Sequence, residues 1–164
     1  MKHQELTRQI IGVFFDVYNE LGHGFLESVY VEAFALALRE SGLGVQREMP
    51  LTVRFRNKVV GEFRADLVVG GAVLVEVKAC QCLHPTHKAQ TLNYLRATVL
   101  EVGLLLNFGP RPIVKRLLFD NPLKTRFPKR PKDRGTGAAR ANGTILSHPA
   151  SSVAQSIFSL APSE

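Results

Sequence analysis

Cysteine is scarce in this sequence, with only Cys80 and Cys82 in 164 residues. Two apart in a strand-like stretch, their side chains point the same way but lie well apart, so they do not pair comfortably. No disulfide framework is implied, which favours a reducing compartment. Long apolar runs are missing too: none approaches the ~18 residues that a membrane span needs. The opening Met1-Lys2-His3-Gln4-Glu5 is polar and leads into an amphipathic pattern, so it does not read as a signal peptide. No internal repeat is present. The expectation from these absences is a cytoplasmic protein without a membrane partner.

What is there suits one domain of ordinary size. Hydrophobic residues make up 45% of the chain, a globular composition. The net charge of +7 is unevenly spread, with 16 basic and 12 acidic residues in 1–127 and 5 and 2 in 128–164. A basic balance fits a polyanion such as nucleic acid, and it equally serves solubility. After residue 127 the sequence turns to a proline-punctuated basic run, Pro128-Lys129-Arg130-Pro131-Lys132-Asp133-Arg134, then to Gly, Ala, Ser, Thr and Pro. Residues 128–164 read as a disordered extension of a 1–127 domain.

Leu6, Ile10, Val13, Phe14, Val17 and Leu21 recur at helical spacing, predicting a helix over 3–21 that stops at Gly22. Gly22-His23-Gly24 is a turn. A second helix is expected over 26–41, with Val29, Tyr30, Ala33, Ala37 and Leu38 inward and Gly42 ending it. From Gly44 the period changes. Residues 45–55 and 59–69 are rich in β-branched side chains around an Arg56-Asn57-Lys58 turn. Pro50 marks the first as an edge strand or a bulge. After Gly70-Gly71, residues 72–79 are apolar at nearly every position, as in a strand covered on both faces. Pro85 opens a helix over 85–100, and strands follow at 102–108 and 113–119. The order helix, helix, three strands, helix, two strands predicts an α/β (α+β) domain around one central mixed sheet of four to five strands flanked by helices.

Charge interrupts this apolar plan. Glu76 and Lys78 share one face of their strand while Val75 and Val77 share the other, and Asp66 lies on the neighbouring strand. Burying charge in a core sheet is costly, so it calls for a reason. A loop of only Gly70-Gly71 would put Asp66 and Glu76 on opposite faces. A three-residue loop, Gly70-Gly71-Ala72, pairs Val69 with Val73 and so Asp66 with Glu76. Opposed carboxylates repel unless a cation lies between them, and hard oxygen ligands favour Mg²⁺ or Mn²⁺, with the Val77 carbonyl as a further ligand. Lys78 could then orient or deprotonate water, or stabilise charge on phosphate. Gln90 and Tyr94, four apart on one helix face, could reach the same end of the sheet. Glu27 opens its helix where an acid also simply complements the dipole. A solvated Asp/Glu/Lys ion-pair network is the alternative reading of this spacing.

Gly24-Phe25-Leu26-Glu27-Ser28-Val29-Tyr30 carries a G-x-x-E-x-x-Y signature. With Arg64-Ala65-Asp66-Leu67, Val75-Glu76-Val77-Lys78-Ala79 and the Gln90–Tyr94 pair, the chain closely resembles the GxxExxY family over about residues 4–120. That family is assigned to the PD-(D/E)xK nucleases. The resemblance implies a restriction-endonuclease-like core with a Mg²⁺ or Mn²⁺ centre. Glu27, Asp66 and Glu76 would be its acids, Lys78 its catalytic lysine, and Gln90 and Tyr94 its supports for substrate or metal. Ala65 stands where the superfamily motif has proline.

Cys80, Cys82, His84 and His87 invite a zinc reading, but four ligands within eight residues would need a tight wrap. Small apolar cysteines and helix-start histidines are preferred, with His87 either lining the cleft or simply exposed. Tyr18 and Tyr30 read as core, and Arg64 as the partner of a structural ion pair with one of the acids. The leading expectation is a metal-dependent nuclease acting on nucleic acid, DNA first. The alternatives are a non-cleaving binding module for nucleic acid or protein, and a small accessory subunit of a larger complex. The chain is short for gripping a duplex, which leaves room for a homodimer or a partner subunit.

Overall fold

The apolar stripe of the first segment winds Gln4–Leu21 into helix α1, burying Ile10, Val13, Phe14 and Val17. In the computed structural model, which describes residues 2–120, helix α2 follows as Glu27–Glu40. Its inner stripe is Tyr30, Phe34, Ala35 and Leu38. Val29, expected inward, is exposed, because the buried row starts at Tyr30 and proceeds at i, i+4 and i+8.

Strands β1 (Val45–Phe55), β2 (Lys58–Val69) and β3 (Val73–Lys78) come next, then helix α3 (Pro85–Ala97), β4 (Val102–Asn107) and β5 (Ile113–Leu118). The order of elements is the expected one. Helix α3 stops short of residue 100, at an extended Thr98. The sheet runs β1-β2-β3-β4-β5 in space. Its pairs are antiparallel except β3 with β4. Parallel neighbours need a long crossover, and α3 supplies it. The result is a mixed five-stranded sheet with helices on both faces, a restriction-endonuclease-like α/β core. Pro50 does lie on an edge strand, where proline is tolerated.

Two apolar layers flank the sheet. One packs α1 and α2 onto Leu67, Val69, Val73, Val75, Val77, Leu104 and Leu106. Phe108 is its hub, stacked on Tyr30 with ring centroids 4.6 Å apart and edge-on to Phe14 at 4.6 Å. The other layer packs Tyr94 and Leu95 of α3 onto Leu51, Ala65, Val68 and Leu74. Among the described residues, no helix is long and apolar enough to cross a membrane. The expected disordered extension at 128–164 lies outside the described residues.

Register decides whether the acids can meet. Val69 pairs with Val73 and Leu67 with Val75, the odd-parity turn that the chemistry requires. Gly70 and Gly71 both adopt positive φ (60° and 63°), which a side chain would strain. The β2–β3 ladder then ends at Leu67–Val75. Beyond it, β1 and β2 continue as a two-stranded arm closed by Arg56 and Asn57, both left-handed, as a tight hairpin turn demands.

Candidate active site

Alternation along β2 breaks at Asp66. Ala65 and Val68 both belong to the α3 side, whereas strict alternation would pair Ala65 with Leu67 and Val69. Opposite this point, Glu48 of β1 takes a positive φ of 47°. The irregularity re-aims the strand where the ladder to β3 ends, as bulges near functional sites do. Asp66 fills the gap: its Oδ2 accepts the Val77 backbone N–H at 2.8 Å.

Glu76 follows Leu74 on the α3 face of β3 and is only 2% exposed. Its Oε2 lies 3.8 Å from Lys78 Nζ. Its Oε1 is buried and has no hydrogen-bond partner, alone in this among the described side-chain atoms. Leaving such an atom unsatisfied costs about 1–3 kcal/mol. Burial, then the nearby Asp66 charge, pushes the Glu76 carboxyl up to about 8, with Lys78 and a backbone amide of Asp66 pulling the other way. Burial also raises Asp66, against the Val77 N–H and Lys78. For Lys78, burial pulls downward, but Glu27, Asp66 and Glu76 together carry the ammonium above the ordinary lysine range.

Glu27 arrives from the start of α2 and accepts from Lys78 Nζ at 3.2 Å. Tyr30 sets that approach. Its ring is fully buried, its hydroxyl donates to the Gly22 carbonyl at 3.0 Å, and it accepts the Phe25 N–H at 3.2 Å. Gly24, at φ 114°, supplies a turn that other residues rarely adopt. The glycine and tyrosine of the signature therefore build the loop that presents its glutamate. From α3, Gln90 Nε2 donates to the Tyr94 hydroxyl at 2.9 Å. Burial raises the Tyr94 phenol, Gln90 lowers it, and Glu76 and Asp66 add to the rise. Tyr94 packs in one layer with Ala65 and Leu74, near neighbours in sequence of the two acids.

Glu27 and Glu76 thus meet Lys78 at the end of β3, with Asp66 on the adjacent Val77 N–H, while Gln90 and Tyr94 pair with each other on α3. Arg64 does not join them: re-aimed by the break at Asp66, it pairs with the exposed Glu48 at 3.4 Å. His87 has a use that spacing did not suggest. Its Nδ1 accepts the His84 N–H at 3.2 Å, while the His84 side chain accepts from Thr86 N, a reciprocal cap on α3. Cys80 Sγ contacts the Cys82 carbonyl. Sequence reasoning missed Asn107. Its side chain is buried, accepting the Cys80 N–H at 3.0 Å and donating to the Cys80 carbonyl at 2.9 Å. Phe108 N donates to the Lys78 carbonyl at 2.7 Å, so β4 clamps the chain just after the lysine. Only the position of Asn107 at the end of a buried strand hinted at this.

A family model of the PD-(D/E)XK nucleases matches residues 4–117, from the start of α1 into β5. The chain belongs to the PD-(D/E)XK nuclease superfamily. No curated protein matches the chain. Two solved structures are similar to it. One is the crystal structure of SSO0001, at 19% identity and a TM-score of 0.48, covering 60% of this chain and 52% of that one. This chain thus spans about half the length of that protein. The other is an alkaline exonuclease from Laribacter hongkongensis, at 13% identity and a TM-score of 0.43, covering 77% and 75%.

A divalent cation is implied by such a superfamily, and the donor set suits one. The unpartnered Glu76 Oε1 and the neighbouring Asp66 are hard oxygen donors, and Mg²⁺ takes only one or two protein carboxylates. Among the described residues no three His, Cys, Asp or Glu side chains gather as a ready metal cluster. Glu27 meets the pair of acids through Lys78.

Proposed function

We propose that this PD-(D/E)XK protein hydrolyses phosphodiester bonds of nucleic acid, DNA in the first place, with Mg²⁺ or Mn²⁺, as a cytoplasmic member of the GxxExxY branch. The observation that carries the reading is Glu76, buried in a core strand with one oxygen unpartnered and Asp66 and Lys78 beside it. A structural ion-pair network on a solvated face would leave that acid exposed. Asp66, Glu76 and the Val77 carbonyl would hold the cation, which supplies Lewis acidity toward water and phosphate.

The chain's own groups do the rest. Asp66 is fixed in direction by the Val77 N–H on one oxygen, which would leave the other for the cation. Lys78 is held by Glu27 on one side and Glu76 on the other. There its ammonium can orient water or offset charge growing on a phosphate oxygen. Gln90 and Tyr94 form a paired polar edge from which a phosphate or base can be positioned. The intact acid–acid–lysine set argues against a non-cleaving module.

The test is incubation of the purified full chain with labelled DNA and RNA in Mn²⁺, in Mg²⁺ and in chelator, beside Glu76→Gln. Metal-dependent cleavage lost in the variant is the expected result. No cleavage of either polymer, or cleavage retained by Glu76→Gln, would overturn the proposal.

A further inference from the structure

A groove of about 1210 Å³ lies between the β1–β2 arm and the outward face of α3. Small-molecule sites fall at about 300–1,000 Å³, so this one is large for a metabolite. One wall carries Arg54 and Phe63, the other Asn93 and Arg96, and Gln90 and Tyr94 line it as well. The Phe63 and Tyr94 rings lie 5.9 Å apart. The lining holds two arginines and no acid. Phe63 is half exposed, its ring lying over Gly61 of the same strand.

We infer that this groove seats a single strand of nucleic acid, its bases against Phe63 and the α3 amides and its phosphates near Arg54 and Arg96. The inference rests on the nuclease reading and adds the strandedness of the substrate. Single-strand sites combine a positive track with aromatic platforms that stack unpaired bases. The side-chain amides of Gln90 and Asn93 can donate and accept, matching exposed base edges. A duplex hides its bases and offers a dense row of phosphates, for which a stripe of many Lys and Arg would be the complement. This groove has two cations among apolar and amide groups. Gln90 and Tyr94, which line it, sit on the α3 side, where Tyr94 packs in one layer with Ala65 and Leu74, near neighbours in sequence of Asp66 and Glu76. A strand lying in it would be led toward Asp66 and Glu76.

Fluorescence anisotropy of the full chain in chelator, with a labelled single-stranded oligonucleotide and with its duplex, tests this without cleavage. The single strand should bind at least about tenfold tighter than the duplex, and Phe63→Leu should weaken it about tenfold, in line with the loss of one stacking platform. Arg54→Gln, fully on the surface, should weaken it several-fold and steepen no unfolding transition. Equal affinity for the two forms, no binding, or single-strand binding that neither variant changes overturns the inference. Cleavage in Mn²⁺ is scored separately. Cleavage with groove-independent binding removes this inference and keeps the nuclease, whereas groove-dependent binding without cleavage does the reverse.

Discussion

Val77 donates its backbone N–H to Asp66 Oδ2 at 2.8 Å, one step past the last ladder pair of β2 and β3. A side chain thereby replaces the strand's next hydrogen bond and is fixed in direction by doing so. Asp66→Ala should cost about 1–2 kcal/mol of stability from the unpaired amide and remove metal-dependent cleavage. Asp66→Asn, which can still accept from Val77, should recover most of the stability and none of the activity. Urea denaturation beside a cleavage assay separates the two roles, and loss of stability alone would contradict the proposed one.

Lys78 holds together charges that otherwise repel. Lys78→Met removes the only cation in contact with Glu76 among the described residues. Cleavage should fall by about 10²–10³-fold, the scale of losing one preorganised electrostatic group. The fold should persist, as judged by circular dichroism. Activity within a few-fold of wild type would rule out its assigned part.

The pH dependence of stability has a definite sign. In chelator, the folded chain keeps the Glu76 proton up to about pH 8, whereas the ordinary value is 4.5. Between those values the folded state binds a proton that the unfolded chain has released, so this group's contribution is complete below 4.5 and is lost as pH rises through 8. Glu76→Gln should flatten that decline and unfold about 1–3 kcal/mol later at alkaline pH. Added Mn²⁺ should stabilise wild type more at about pH 8 than at about pH 6, since its ligands must be deprotonated. Urea melts across pH would show it; a wild-type stability that climbs through this range in chelator contradicts it.

Tyr30→Phe keeps the ring that stacks on Phe108 and deletes both hydroxyl bonds to the Gly22–Phe25 turn. About 1–2 kcal/mol of stability should go. Cleavage should fall further than that loss of folded protein explains, because Glu27 would lose its fixed approach to Lys78. Thermal melts paired with initial rates check it.

Gly109→Ala should be more damaging than anything at the mouth of the site. A Cβ there would lie 1.9 Å from the Cys80 carbonyl, which Asn107 already engages. Soluble yield and Tm should drop sharply, with a stability loss of about 3 kcal/mol if the chain folds at all. A near-native melt would show that the β4 clamp yields easily.

Much of this was legible before any coordinates. The odd-parity turn at Gly70-Gly71-Ala72 followed from the demand that Asp66 and Glu76 meet, since a one-residue slip flips every side chain. Pro50 announced an edge strand by its missing N–H. What stayed hidden depends on contacts between distant residues or on local backbone breaks. Asn107 clips Cys80, 27 positions away, and only its place at the end of a buried strand hints at a role. His87 is claimed by a helix cap three residues back, a competition that spacing alone does not rank. The exposure of Val29 turned on where α2 begins, and helix boundaries are the least determined part of a periodic pattern. Arg64 was assigned to the wrong acid because Glu48 and Asp66 interrupt the pleat, which alternation takes as perfect.

Asp66 is rooted at the base of a hairpin whose outer part, among the described residues, is paired with no strand but its own twin. Length and sequence there can drift without disturbing the register at the root. Such a separation gives natural variation, or an engineer, one segment in which to change the surface beside the proposed site while the acids stay where they are.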